Sequence, residues 1–233
     1  MFFSPSLFVV FEGLDGSGTS TQARLLHEAL CKESLNTSLT SEPTNGPVGN
    51  IIRNFMSHRT IMHDKRLEDL SDEERRRLEQ LEDHQLAYLF AADRHDHLRN
   101  EIDGIQKQLS KGAIVISTRY YLSSFAYHCK TDEDFELVER LNSGFPAADL
   151  TFFVECPVEI CLRRIEQRQY KREKYEHRDK LLLVRENYSR ILSTYKHDLH
   201  IVDGEAQPHV MHAKILGVVK EKLCQKPLPI STR

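Results

Sequence analysis

The stretch Leu7-Phe-Val-Val-Phe-Glu-Gly-Leu-Asp-Gly-Ser-Gly-Thr-Ser-Thr21 decides the fold. An apolar run, Leu7 to Phe11, stops in a glycine-rich turn, and Leu25, Leu26, Ala29 and Leu30 follow at helical spacing. Strand, tight loop and helix in that order turn backbone N–H groups and the positive end of a helix toward an anion. Gly13-x-x-x-x-Gly18-x-Ser20 has the spacing of the nucleotide-binding P-loop, with Gly16 as an extra small residue in the curl. The loop predicts contacts to a triphosphate tail from Gly13, Gly16, Ser17, Gly18, Thr19, Ser20 and Thr21, with the Ser20 hydroxyl placed on Mg²⁺. One position departs from the pattern, because Thr19 stands where such loops carry lysine. Threonine donates one neutral hydrogen bond and brings no charge to the β/γ-phosphates.

Outward from the loop, short apolar runs alternate with helical patterns. Asn36 to Thr40 reads as a second strand, closed by the turn cluster Ser41-Glu-Pro-Thr-Asn-Gly-Pro47, and Val48 to His58 as a short helix. Arg59 to Leu70 is polar and reads as a connection. Ser71-Asp-Glu-Glu74 is a capping box opening a helical region that runs, with interruptions, to Lys111, where Gly112 supplies a stop. Ala113 to Ser117 and Leu150 to Val154 are nearly pure apolar strands, as a parallel sheet covered on both faces requires. Helical patterns occupy Ser123 to Tyr127, Asp132 to Asn142, Val158 to Arg168 and Lys180 to Tyr195. A fifth strand, Leu199 to Val202, precedes a last helix, Pro208 to Leu223. The expected architecture is an α/β three-layer sandwich around a five-stranded parallel sheet, one P-loop domain over residues 1–225 with a flexible tail at 226–233. Ligands in such folds sit at the carboxyl ends of the strands, beside the loops after Phe11, Thr40, Ser117 and Val154.

Composition narrows the function classes. The 233 residues are long enough to bury a core, and a net charge of −3 gives no basic field for nucleic acid. Five cysteines without metal-like spacing read as thiols in a reducing compartment, and no stretch approaches the length of a membrane span. A cytoplasmic protein is expected.

The series Phe11-Glu-Gly-Leu-Asp-Gly-Ser-Gly18, Glu42-Pro43, Leu89-Phe-Ala-Ala-Asp-Arg94, and Arg119-Tyr120 with Ser123-Ser124 and Tyr127 resembles the thymidylate kinases in order and spacing, from about Leu7 to Leu223. The resemblance implies transfer of the γ-phosphoryl of ATP to dTMP, giving dTDP for dTTP synthesis, with Mg²⁺ assisting and a homodimer as the usual assembly. It implies that Asp15 accepts a hydrogen bond from the 3′-hydroxyl of the acceptor and that Arg119 grips its phosphate. Phe90 would stack on the thymine ring, and Arg94, four residues on and so on the same helix face, would bond its carbonyl edge. Ser124 and Tyr127 would close around base and sugar, and Glu42 and Pro43 would shape the pocket wall. The basic run around residues 165–180 falls where the family has its lid, with Arg168 and Arg172 favoured as the arginines that neutralise the transferred group.

Two departures fall on catalytic positions. Thr19 replaces the loop lysine, and Thr118 stands where the family's Asp-Arg-Tyr signature has aspartate. One change removes a positive charge and the other a negative one, which leaves the local sum unaltered. Two readings remain beside an active dTMP kinase: a kinase-like protein that binds nucleotide without turnover, and a kinase for another nucleoside monophosphate such as dUMP. Glu155, ending the fourth strand, is in reach of either a metal or an arginine.

Overall fold

Branched and aromatic residues packed on both faces create the central strand. In the computed structural model of the chain, which describes residues 6–57, 59–60, 70–167 and 174–225, every residue of β1 (Leu7–Gly13) is buried. β2 (Thr37–Ser41), β3 (Ile114–Thr118), β4 (Leu150–Glu155) and β5 (Leu199–Asp203) join it in one sheet of order β2-β3-β1-β4-β5. All pairings are parallel, with Val9 opposite both Ile116 and Leu150. The chain leaves β1 toward β2 and β3 on one side and later crosses to β4 and β5 on the other. That reversal opens a crevice at the carboxyl end of β1.

Nine helices are seen among the described residues: α1 (Thr19–Lys32), α2 (Pro47–Met56), α3 (Asp72–Arg99), α4 (Ile105–Ser110), α5 (Tyr121–His128), α6 (Asp132–Asn142), α7 (Val158–Glu166), α8 (Arg178–Thr194) and α9 (Pro208–Gln225). Leu7, Val9, Phe11, Ile116 and Phe152 face α1 and α9 through Leu26, Leu30, Ile215 and Val219. Phe8, Val10 and Val115 face the opposite way, onto Leu98, Ile105 and Tyr120. Leu86, Leu122, Val158, Leu181 and Tyr188 gather α3, α5, α7 and α8 into a second apolar cluster under Leu14 and Phe153. Each fully buried side chain of this size contributes about 1.5–3 kcal/mol, so the layers are held by burial.

The sheet, its parallel sense and the alternating helices agree with the sequence reading. Boundaries shift where local geometry intervenes. α1 begins at Thr19, directly after the loop, because Gly18 takes a left-handed φ of 113° and ends the loop there. The region from Ser71 to Lys111 divides at Asn100, whose ψ of 146° leaves the helix and whose Oδ1 accepts from the Ile102 and Asp103 N–H groups. The capping box at Ser71 forms in full, Ser71 Oγ accepting from the Glu74 N–H while Glu74 caps the Ser71 N–H. Most of the connection before it, Arg168 and Arg172 in the lid run, and the tail 226–233 lie outside the described residues.

Gly16 is the tightest point of the loop, where φ is +83° and a Cβ would stand 2.5 Å from the Cys161 carbonyl oxygen of α7. Gly16→Ala is expected to lower the melting temperature by roughly 5 °C, read by differential scanning calorimetry.

Candidate active site

The site is assembled around a carboxylate inside the sheet. Glu12 of β1 is fully buried, and its four hydrogen bonds account for both oxygens. Oε1 accepts from the Tyr120 and Ser123 N–H groups at 2.9 and 3.3 Å. Oε2 accepts from the Ser123 hydroxyl at 2.6 Å and the Tyr188 hydroxyl at 2.9 Å. Burial pushes its carboxyl above the usual carboxylate range, while these donors and the Arg119 guanidinium pull it back. The bonds clamp the start of α5 to β1 and fix the turn that carries Arg119.

Arg119 sits in that turn with φ of 68°, a left-handed conformation that costs an L-residue about 1–2 kcal/mol. Its own N–H bonds the Phe11 carbonyl at 2.8 Å, which holds the turn against β1. One guanidinium nitrogen donates to Asp15 Oδ1 at 2.5 Å and to the Tyr127 hydroxyl at 2.9 Å. The other donates to Ser123 Oγ at 3.0 Å and the Gly13 carbonyl at 3.3 Å. Burial is the largest single influence and works against its charge, but Asp15, Tyr127, Tyr188 and Glu12 together outweigh it and keep the guanidinium cationic. Tyr127 closes the triangle by donating to Asp15 Oδ2 at 3.0 Å.

Two clefts meet at this triangle. The first, about 570 Å³, is lined by all eight acceptor-side candidates: Asp15, Glu42, Pro43, Phe90, Arg94, Arg119, Ser124 and Tyr127. The second, about 510 Å³, is lined by Gly16, Ser17, Gly18, Thr19, Ser20 and Thr21 together with Thr118 and Arg164. Asp15, Glu42, Pro43, Arg53 and Arg119 border both. Gly13 stands behind the loop, its carbonyl on Arg119.

In the second cleft, α1 presents an uncapped N-terminus, with no side-chain cap on Gly18 and no acidic residue in its first turn. Unsatisfied N–H groups and the helix dipole there attract an anion. Ser17 closes the turn, its N–H bonding the Leu14 carbonyl at 3.1 Å and its hydroxyl sealed beneath the loop. Thr19 and Thr118 both line the cleft and bring no charge to it. The lid-side arginine that reaches the loop among the described residues is Arg164. It donates to the Ser17 carbonyl at 3.1 Å and the Gly204 carbonyl at 2.9 Å, bracing the P-loop against the turn after β5. Glu155 accepts the Gly204 N–H on its main-chain carbonyl at 2.7 Å, and its side chain is exposed.

In the first cleft, Arg94 is 1% exposed and largely committed to protein partners. It donates to Glu42 Oε2 from Nε at 2.9 Å and from one terminal nitrogen at 2.7 Å, and also to Ser124 and Asn142. Four of its five N–H groups are thereby used, one remains free of these partners, and the residue lines the cleft. Glu42 is held from its other oxygen by His97 Nδ1 at 3.1 Å. Phe90 lies 5.2 Å from the His128 ring, centroid to centroid.

Sequence reasoning missed Glu12, Arg53, Tyr188, Arg164 as a loop brace, and His128 with Tyr175. A lone carboxylate inside the run Leu7 to Gly13 was a readable signal, because a charge buried on both sides needs dedicated partners. Arg53 donates to the Pro43 carbonyl at 2.6 Å and to that of Thr44, and nothing in the pattern of α2 marks it.

A parallel sheet with a glycine loop feeding α1 and a second cleft opening beside it defines the P-loop nucleoside monophosphate kinases. The family model described as thymidylate kinase matches two overlapping segments, residues 11–77 and 69–215. A sequence of Treponema pallidum named as a thymidylate kinase is 34% identical over 221 residues, 92% of this chain and 95% of its own length. Another so named, from Pyrococcus abyssi, is 34% identical over 220 residues, 93% of this chain and 97% of its own. The solved thymidylate kinase of Candida albicans shares the fold, with a TM-score of 0.71 at 23% identity and 94% of each chain covered. The chain belongs to the thymidylate kinase family.

Glu12→Ala removes an acceptor from two N–H groups and two hydroxyls. A loss of about 3 kcal/mol is expected in urea unfolding, against a smaller loss for Glu12→Gln. His128 gives a pH signature. Burial lowers its pKa to about 3 from an ordinary 6.5, so between these values the unfolded chain binds the proton and the folded one does not. Stability is therefore lost as pH falls from 6.5 toward 3, and His128→Gln is expected to flatten that part of the unfolding-versus-pH curve.

Proposed function

We propose that this chain is an ATP-dependent nucleoside monophosphate kinase that transfers the γ-phosphoryl group of ATP to dTMP, giving dTDP on the route to dTTP. The observation that carries the reading is the meeting of the two clefts at Asp15, Arg53 and Arg119. ATP lies in the second cleft with its triphosphate on the P-loop N–H groups, and dTMP lies in the first with its phosphate at Arg119. Phe90 stacks on the base, the remaining N–H of Arg94 faces a base carbonyl, and Asp15 receives the sugar hydroxyl.

Phosphoryl transfer demands alignment and neutralisation of spreading negative charge more than covalent help. Arg119, already cationic and oriented by Asp15, stands where the two phosphates approach. Arg53 borders the same point, and the uncapped α1 N-terminus supplies the neutralisation that a loop lysine would otherwise share. The lid arginines Arg168 and Arg172 remain part of the proposal. Ser20, Ser41 and Thr118 line the second cleft with neutral hydroxyl oxygens, a hard-oxygen set that fits Mg²⁺ when phosphate oxygens complete its shell. Bound there, Mg²⁺ would screen the β- and γ-phosphate oxygens.

A homodimer is proposed for the assembly. Leu81 and Tyr88, seven residues apart on α3, are both more than half exposed, at 52% and 54%, and offer two large side chains to a second copy. A cytoplasmic site of action is proposed; no helix among the described residues is long and apolar enough to cross a membrane.

The test is ATP consumption by the purified full chain with Mg²⁺ across dTMP, dUMP, dCMP, dAMP and dGMP. Turnover fastest with dTMP is expected. Nucleotide-induced thermal stabilisation without turnover on any acceptor would make it a binding protein instead, and preference for another monophosphate would move the acceptor assignment. Arg119→Ala is expected to lower kcat/KM by roughly 10²–10³. Arg164→Ala is expected to raise the KM for ATP about tenfold while that for dTMP changes little.

A further inference from the structure

The acceptor cleft ends against a chain of polar groups that the roles above leave unused. His128, the last residue of α5, lines the cleft beside Phe90 and is 2% exposed. Its Nδ1 lies 3.4 Å from the Tyr175 hydroxyl, and that hydroxyl lies 3.2 Å from Asp83 Oδ1. The other Asp83 oxygen is paired with Lys130 at 3.1 Å and Lys180 at 3.7 Å. Arg94 and Lys174, the latter joined to Glu82, are the other cations that act on the ring.

These contacts fix where the protons lie. Asp83, held between two ammonium groups, is an acceptor only, so the single hydroxyl proton of Tyr175 points at it. The Tyr175 oxygen then has only a lone pair to offer His128, and Nδ1 must carry the ring proton. Burial and the nearby lysines exclude a second proton, and the imidazole is neutral. Its Nε2 is consequently a bare acceptor. No hydrogen-bond partner among the described residues meets that atom, and His128 lines the cleft.

We infer that His128 reads the acceptor base as an imide, its Nε2 accepting the N3–H of thymine or uracil, with Tyr175 and Asp83 as positioning residues that hold the required tautomer. The inference rests on the proposed monophosphate kinase activity and names the base chemistry of that site. With the remaining N–H of Arg94 opposite the position-4 substituent, the wall offers a donor followed by an acceptor. Thymine and uracil present a carbonyl and then an N–H, which complements both. Cytosine presents an amine and then a bare ring nitrogen, which opposes donor to donor and lone pair to lone pair. A site built to hydrogen-bond one pattern rejects the other strongly, because mismatched buried groups stay unpaired.

The experiment combines kinetics and ¹⁵N NMR of the full chain labelled in histidine, with dTMP, dUMP and dCMP as probes. In the wild type, the His128 Nε2 resonance is expected in the unprotonated, pyridine-like range and Nδ1 in the protonated range, with Nε2 moving on addition of dTMP. Tyr175→Phe removes the group that holds the Nδ1 proton, and the protonated Nε2 tautomer should become detectable. A merely structural role for Tyr175 would not produce that exchange. His128→Ala should raise the KM for dTMP roughly tenfold and shrink the dTMP-over-dCMP preference in kcat/KM by at least as much, with His128→Gln restoring part of both. A wild-type Nε2 that carries the proton would overturn the inference. So would a dTMP-over-dCMP ratio unchanged in a folded His128→Ala. Wild-type turnover of none of the three probes would instead sink the kinase reading on which it stands, and the inference with it.

Discussion

The Glu12 carboxylate inside the sheet is the constraint on which the rest of the site depends. Buried in β1, it binds the first turn of α5 by two N–H groups and a hydroxyl, and reaches α8 through Tyr188. A charge at that depth is tolerated only when its lone pairs are filled, and filling them locks two helices to the central strand. The locked turn forces Arg119 into a left-handed backbone and points its guanidinium back at the P-loop. Stability and function are thus coupled at one residue.

From that anchor the arrangement of charge follows. Arg119, Asp15 and Tyr127 form a closed triangle whose net charge is zero before any ligand arrives. In the proposed reaction, a phosphate entering the first cleft would compete with Asp15 for the guanidinium, and a sugar hydroxyl entering beside it would give Asp15 a replacement donor. Ligand exchange of this kind keeps buried groups satisfied in both states. Thr19 and Thr118 subtract one positive and one negative group from the neighbouring cleft. In the proposed reaction, the α1 N-terminus and the arginines at its rim carry the electrostatic task.

Much of this was legible in the sequence. A run of apolar residues halted by Gly13-Leu-Asp-Gly-Ser-Gly18 dictates strand, loop and helix by backbone chemistry alone, and the remaining runs repeat the alternation. Phe90 and Arg94 declare a shared helix face through their spacing, and the eight acceptor-side candidates do line one cleft. What stayed hidden depends on partners distant in the chain. Glu12 is explained by Tyr188, 176 residues away, and the tautomer of His128 by Tyr175 and Asp83 from two other segments. Arg94 shows the limit from the other side. The family resemblance marks it as a base-binding group, yet most of its donors hold Glu42, Ser124 and Asn142, which no local pattern conveys.

The central claim is that two phosphorylated compounds lie end to end, joined at Arg119. The most direct measurement is inhibition by adenosine linked through five phosphates to the 5′ position of deoxythymidine, which spans both clefts as one molecule. Competition against ATP and against dTMP alike, with an affinity well above that of either nucleotide alone, is the predicted result. Competition against only one of them would contradict the continuous site.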